Sequence, residues 1–255
     1  MKIRLTLPHT FTQKILRAIR EFDLIRPGDR VLVGFSGGKD SAFLLYALSI
    51  FEKHRIIPFK LGALTVDLGF ENEFDLAALQ RYCDRLEVPF ISVKTEIAKY
   101  ALGGANPEGP CATCSFLRRG TMNRVAGEHG YNVIALAHHQ DDAVETFLMS
   151  TIFSGQIKTF LPRTELERSG ITVIRPLVYF REAELRQAQD LIGFTPVASP
   201  CPLDGKTKRA EVKELIRNLS RHDPRIFNNL AAAMREGRPI ELWPAELPRE
   251  KRKVK

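Results

Sequence analysis

The chain has 255 residues, of which 44% are hydrophobic and 27% charged, an ordinary balance for a globular protein of one large domain or one and a half, with ample chain for a core. Its longest apolar stretch, Ala42 to Phe51, is too short to cross a bilayer, and no signal-peptide pattern opens the chain, so no membrane role and a cytoplasmic address are expected. A formal charge of +8, from 38 basic and 30 acidic residues, suits a polyanionic partner such as RNA, although part of it lies in the tail Arg249 to Lys255, which also fits a solvated end.

In chain order, a helix is expected from about Thr12 to Phe22, with Ile15, Leu16 and Ile19 on one face, stopping before the turn signal Arg26-Pro27-Gly28-Asp29. Arg30 to Phe35 is a short valine- and leucine-rich run that suits a buried parallel strand. Ser36 to Lys39 forms a turn, and Asp40 and Ser41 are placed to cap a helix from Ala42 to about Lys53. A strand, a glycine turn and a helix start make an anion site, because Gly37 and Gly38 allow close approach and the first helical amides point unpaired at the ligand. A helix terminus contributes only about 0.3 to 1 kcal/mol toward a neighbouring negative charge, so a polyphosphate also needs cations, and Lys39 is the nearest. Walker A spacing is absent, since Val33 and Asp40 stand where that loop wants glycine and Ser or Thr, and so is G-x-G-x-x-G. The run Ser36-Gly37-Gly38-Lys39-Asp40-Ser41 instead resembles the PP-loop of the N-type ATP pyrophosphatases, a resemblance that implies cleavage of ATP between its α and β phosphates.

Leu61 to Val66 reads as the second strand and delivers Asp67 at the carboxyl edge, where open sheets of this type bind ligands; a surface turn aspartate is the alternative. Glu71 to Leu86 reads as a helix and Phe90 to Val93 as the third strand. Leu102 to Pro110 is too rich in glycine and proline for either, and it leads to Cys111-Ala-Thr-Cys114 at the start of a helix from Ser115 to about His129, whose first turn carries Arg118 and Arg119. The fourth strand, Asn132 to Ala137, runs into His138-His139-Gln140-Asp141-Asp142 and a helix through Phe153. Asp141 and Asp142 suit a first helical turn, but capping alone does not explain two preceding histidines. Gly170 to Leu177 is strand five, Arg181 to Ile192 a helix, Thr195 to Gly205 an irregular stretch presenting Cys201, and Ala210 to Leu219 and Pro224 to Met234 two closing helices. The expected fold is therefore α/β, a doubly wound five-stranded parallel sheet with a small helical C-terminal part. Its divisions are an N-terminal helix (1–25), a nucleotide domain with the Cys-x-x-Cys insertion (26–195), a cysteine loop with helices (196–236) and a basic tail (237–255).

Four cysteines in a cytosolic chain point to metal binding or catalysis rather than disulfides. Cys83 falls on a core-facing helical position, while Cys111, Cys114 and Cys201 lie in loop-rich stretches. Three thiolates do not fill a structural zinc site, which usually wants four ligands, whereas a [4Fe-4S] cluster on three cysteines leaves one iron open. Zinc completed by Asp204 or a histidine, and a redox-active Cys-x-x-Cys, are the competing readings. Arg118 and Arg119 beside one cysteine pair, and Lys206, Lys208 and Arg209 beside Cys201, are basic sets suited to RNA.

Beyond the loop, Pro110-Cys111-x-x-Cys114 with Leu117-Arg118-Arg119-Gly120, His138-His139-x-Asp141-Asp142-x-x-Glu145-Thr146, Ile174-Arg175-Pro176-Leu177 with Arg181-Glu182, and Pro200-Cys201 complete a set of marks across about Ile15 to Met234. Together they resemble the TtcA family of tRNA 2-thiocytidine synthetases. The resemblance implies a Rossmann-like PP-loop ATPase fold, ATP with Mg2+, an oxygen-sensitive [4Fe-4S] cluster on Cys111, Cys114 and Cys201, and thiolation of an anticodon-loop cytidine of tRNA. It places ATP on Ser36 to Ser41 with Asp67 and His138. Lys39 and Asp40 take part in the chemistry, Asp141 or Asp142 orients Mg2+ or handles a proton, and Arg118 holds the adenylate or a tRNA phosphate. A sulfur donor, sulfide or a cysteine desulfurase, and a homodimer are also implied. The chain departs from the family where members often carry a second Cys-x-x-Cys, since here the pair is Cys201-Pro-Leu-Asp204. A 2-thiouridine synthetase of the same superfamily is the nearest alternative, although those relatives typically carry cysteine pairs near both termini and the first 82 residues here contain none. A non-catalytic RNA-binding iron-sulfur protein is the alternative from another class.

Overall fold

A computed structural model describes residues 6–72, 74–104, 109–205 and 207–237, so Lys206 and the basic tail Arg249 to Lys255 lie outside the described residues. Along the chain run α1 (His9–Phe22), β1 (Arg30–Gly34), α2 (Lys39–Lys53), β2 (Lys60–Asp67), α3 (Leu76–Leu86), β3 (Phe90–Lys94), α4 (Ile97–Leu102) and α5 (Pro110–Glu128). They are followed by β4 (Val133–Ala135), α6 (Gln140–Ser154), β5 (Arg163–Leu166), β6 (Ile171–Ile174), α7 (Glu182–Gln187), α8 (Gln189–Ile192), α9 (Lys208–His222) and α10 (Ile226–Ala233). Among the described residues, no helix is long and apolar enough to cross a membrane.

The strands form one sheet in the order β3-β2-β1-β4-β6-β5. Strands β1, β2, β3, β4 and β6 pair in parallel, as the alternation of strands and helices demands. The count of five is corrected to six by β5, which pairs antiparallel with β6 at the sheet edge. Arg163-Thr-Glu-Leu166 carries two charges in four positions and has no apolar run to announce it, as befits a short edge strand. Strand order reverses between β1 and β4, and the crevice beyond the carboxyl ends of those strands is where this architecture takes a ligand.

Period-two alternation sends side chains to two cores. Val31 and Val33 of β1, Ala63 of β2 and Val133 of β4 face one, with α1, α2 and α3. Leu32, Leu64 and Ile134 face the other, where α5 supplies Met122, Val125 and Ala126. Helix α2 is buried continuously from Ser41 to Phe51, because the sheet covers one side and α1, α7 and α8 cover the other. That explains an apolar content too uniform for a surface helix. The C-terminal helices form a third, smaller core, in which Val212, Ile216 and Phe227 pack on Val144 of α6.

Several boundaries shift for local reasons. Helix α2 begins at Lys39 with Gly38 as its N-cap, so Asp40 and Ser41 lie inside its first turn rather than capping it. Helix α3 begins at Leu76, where the Asp75 carboxylate accepts from the Ala78 amide at 2.8 Å. Pro110 occupies the first turn of α5, so Cys111 and Cys114 sit on a helix instead of in the loop before it. Helix α4 is too short for a visible period, and the expected helix over 181–192 is broken at Ala188 into α7 and α8.

Candidate active site

The glycine turn is held open by its own hydroxyls. Ser41 Oγ donates to the Gly38 carbonyl at 3.0 Å and accepts from the Ser36 amide at 3.2 Å, while Ser36 Oγ lies 3.1 Å from it. Gly38 provides no side-chain cap, so the first amides of α2 keep no partner within the helix. Gly37 has φ of +80°, a conformation that calls for glycine, and a Cβ there would crowd Phe74 at 3.2 Å. Its carbonyl accepts from the Val197 amide at 2.9 Å, which stitches the segment leading to Cys201 onto the turn.

That stitch brings the two sets of motifs together. A cleft of about 520 Å3 opens at the carboxyl edge of the sheet, with Ser36, Gly38, Asp40 and Ser41 on one wall. Cys114 and Arg118, one helical turn apart on α5, line it too, as do Cys201, Asp67, His138 and Asp142. Asp67 Oδ1 accepts from the Gly69 amide at 3.0 Å. Burial raises the Cys114 thiol; Arg118 opposes this, and the charges of Cys201 and Cys111 add to it, so the three sulfurs are within electrostatic reach of one another.

Other expected residues are placed elsewhere. Lys39 does not line this cleft; its Nζ pairs with Asp40 at 2.8 Å and with Glu182 at 3.6 Å. Asp141 is clamped by Arg181 at 3.1 Å and accepts from the Glu182 amide at 2.9 Å, and it faces a second cleft. Asp142 completes a capping box with His139, whose amide donates to Asp142 Oδ2 at 2.9 Å. Capping therefore accounts for His139 and not for His138. Cys111 is exposed just outside the cleft lining, and Arg209, expected on an RNA surface, is turned inward to Asp142 and Glu145.

Around the cleft, burial shifts the protonation of motif residues in ways their sequence positions do not reveal. Glu145 is 4% exposed; burial, then the charge of Asp142, pushes its carboxyl up to about 7 against the pull of Arg209 and Lys213. Burial, then Arg175, Arg209 and Arg118, holds the His138 imidazole down to about 3. Its ring lies 5.1 Å from Phe160, and its buried Nδ1 has no hydrogen-bond partner among the described residues. Burial pushes Glu182 up, but Lys213, then Lys39 and Arg186, outweigh it and bring the carboxyl down to about 2. The Glu184 carboxylate accepts from the Arg181 amide at 2.9 Å and so fixes the helix start that delivers the Asp141 clamp.

These shifts give stability an unusual pH dependence. Between pH 4.5 and 6.5 the folded chain keeps a proton on Glu145 that the unfolded chain has released, so this group lowers stability as pH rises. Over the same interval the unfolded chain binds a proton on His138 that the folded chain refuses, so this group raises stability as pH rises. The two offset each other. Glu145→Gln is expected to uncover the histidine, giving stability that climbs by up to about 1.4 kcal/mol per pH unit across that window relative to the unsubstituted chain. Urea midpoints measured from pH 4.5 to 6.5 check this, and parallel profiles for the two proteins contradict it.

Among the described residues, no three His, Cys, Asp or Glu side chains close on a metal ion. The donor chemistry nonetheless fits one kind of group. Cys111 and Cys114 lie one turn apart on α5, Cys201 reaches the same cleft from the segment bound to Gly37, and three soft thiolates with an open side suit an iron-sulfur cluster better than a closed zinc site.

A strand, a Gly-Gly turn and an uncapped helix start facing the crevice define a PP-loop protein, and residues 7–218 match the PP-loop domain family model. The chain is 35% identical over 238 residues to a tRNA-cytidine(32) 2-sulfurtransferase of Geobacter metallireducens, covering 91% of each chain, and 36% identical over 251 residues to one of Anaeromyxobacter dehalogenans, covering 95% of this chain and 85% of that one. It belongs to the family of tRNA-cytidine(32) 2-sulfurtransferases. Among solved structures it resembles the U34-tRNA thiolase NcsA from Methanococcus maripaludis with its [4Fe-4S] cluster, with 25% identity and a TM-score of 0.69 over 88% of this chain and 77% of that one.

Proposed function

We propose that this protein is an ATP-dependent tRNA thiolase that replaces the C2 oxygen of an anticodon-loop cytidine with sulfur. The observation that carries the reading is the cleft shared by Ser36, Gly38, Asp40 and Ser41 of the PP-loop and by Cys114 and Cys201. One wall suits the activation of an oxygen by ATP, and the other suits the delivery of sulfur.

The amides at the start of α2 hold the ATP phosphates, and Lys39, released from Asp40 and Glu182, offsets charge on the departing pyrophosphate. The C2 oxygen of the base attacks the α phosphorus and pyrophosphate leaves. A sulfur nucleophile then attacks C2, and the adenylated oxygen departs with AMP. Arg118, on the same face of α5 as Cys114, neutralises the adenylate phosphate. Asp67 and Asp142 are the carboxylates on hand for a Mg2+ that ATP brings largely coordinated by its own oxygens and water. Cys111, Cys114 and Cys201 would hold a [4Fe-4S] cluster, which when bound supplies an iron with no protein ligand at which sulfur can be carried. His138, held neutral, lines the cleft without adding a positive charge beside the ATP site. Sulfide or a cysteine desulfurase supplies the sulfur, and a homodimer working in the cytoplasm completes the reading.

Pyrophosphate release tests it. With sulfide supplied, ATP should be split by the anaerobically prepared protein only with tRNA present, and one 2-thiocytidine should appear per pyrophosphate; hydrolysis without thionucleoside contradicts the reading. A 2-thiouridine product is the second reading, favoured by the likeness to the U34 thiolase.

A further inference from the structure

The second cleft, of about 320 Å3, has no part in the chemistry above. It lies between α6, α7, α9 and α10, and its lining includes Arg181, Lys213, Arg217 and Arg221. Its carboxylates are already engaged: Asp141 by Arg181, Glu182 by Lys213 at 2.7 Å, and Glu145 by Arg209. Arg217 and Arg221 are different. Among the described residues, Arg217 pairs with Glu214 and Arg221 with Asn218, both on their own helix and one turn away. Such exposed same-helix contacts are worth little and are readily exchanged. Beside them, Ser220 Oγ is buried with no hydrogen-bond partner among the described residues, although Ser220 lines the same cleft.

The spacing of the cations is informative. Arg209, Lys213, Arg217 and Arg221 recur every fourth residue of α9, so they climb the helix in steps of about 6 Å. That is close to the step between successive phosphates of a nucleic-acid strand. The ladder starts at Asp142, which lines the first cleft, and ends at the second. Its lower half is used to neutralise Asp142, Glu145 and Glu182, and its upper half faces open space with arginines, which grip phosphate by two parallel hydrogen bonds.

We propose that this second cleft grips backbone phosphate of the tRNA, with Arg217 and Arg221 as its cations and the Ser220 hydroxyl as a further donor. The proposal rests on the thiolation reading for the identity of its partner. The cleft fixes the position of the RNA relative to the first cleft and reads no base, because its contacts go to the backbone.

The test is the salt dependence of tRNA binding by the full chain, measured for Arg217→Ala/Arg221→Ala, for Arg217→Lys/Arg221→Lys, and for the control Arg55→Ala/Arg81→Ala, which removes the same charge elsewhere. The alanine pair is expected to weaken tRNA binding at least tenfold at low salt and to reduce the log-log slope by about 1.4 to 1.8, the value for two lost phosphate contacts. The lysine pair should restore most of the slope, and the control should keep all of it. An unchanged slope for the alanine pair, an equal loss in the control, or no tRNA binding by the unsubstituted chain overturns the proposal. So does a loss confined to affinity for ATP or inorganic pyrophosphate, which assigns the cleft to nucleotide phosphate instead. Intact binding with no 2-thiocytidine formed sinks the thiolation reading alone, and thiolation with an unchanged slope sinks this proposal alone.

Discussion

Replacing Cys201 with alanine is expected to abolish thiolation, by more than about 100-fold, while leaving ATP binding measurable. Removing only the outer support of a metal ligand commonly costs 10- to about 100-fold, so loss of a ligand itself lies beyond that range. The phosphate wall should survive because Val197 holds Gly37 through its backbone amide, which the substitution does not touch. Cys114→Ala should behave alike, since Cys114 lines the same cleft from α5. Sulfur incorporation measured by mass spectrometry of tRNA nucleosides, alongside ATP affinity, checks both variants. Thiolation at the normal rate by either one contradicts a role for these thiols.

Lys39→Ala should be the other severe lesion, lowering tRNA-dependent pyrophosphate release by about 100- to 1,000-fold, the usual loss when a group that stabilises transition-state charge is removed. The lysine is drawn toward Asp40 and Glu182, and its flexible stem lets the ammonium leave these partners for phosphate. These pairs are partly exposed, with side-chain exposures of 22%, 26% and 17%, so breaking them costs the fold little. The variant should therefore melt within a few degrees of the unsubstituted protein, and pyrophosphate release at the normal rate would remove Lys39 from the chemistry.

What could be read from the sequence was the chemistry of short stretches. The apolar run of β1, the Ser36 to Ser41 turn and the apolar start of α2 are local, and each residue type announces its part. The parallel sheet followed from alternation of strand and helix, whereas β5 did not, because a charged edge strand has no apolar signature. Helical rotation separated what lies adjacent in the chain. Asp141 and Asp142 are neighbours, yet one faces Arg181 and the second cleft while the other lines the first. Neither destination can be read without knowing where α7 and α9 dock. The same holds for the meeting of Cys201 with the turn, which is tied by a backbone hydrogen bond from Val197 to Gly37. Glu145 and His138 were legible as motif residues, but their shifted protonation comes from burial, a property of the packed chain.

The central claim is that the phosphate wall and the thiols of one cleft act on one cytidine. Its most direct test is mass spectrometry of tRNA nucleosides from a strain lacking this protein, with and without the gene restored. The account predicts that 2-thiocytidine disappears, returns with the restored gene, and fails to return with Cys201→Ala. Retention of 2-thiocytidine in the deletion strain, or loss of 2-thiouridine in its place, would contradict it.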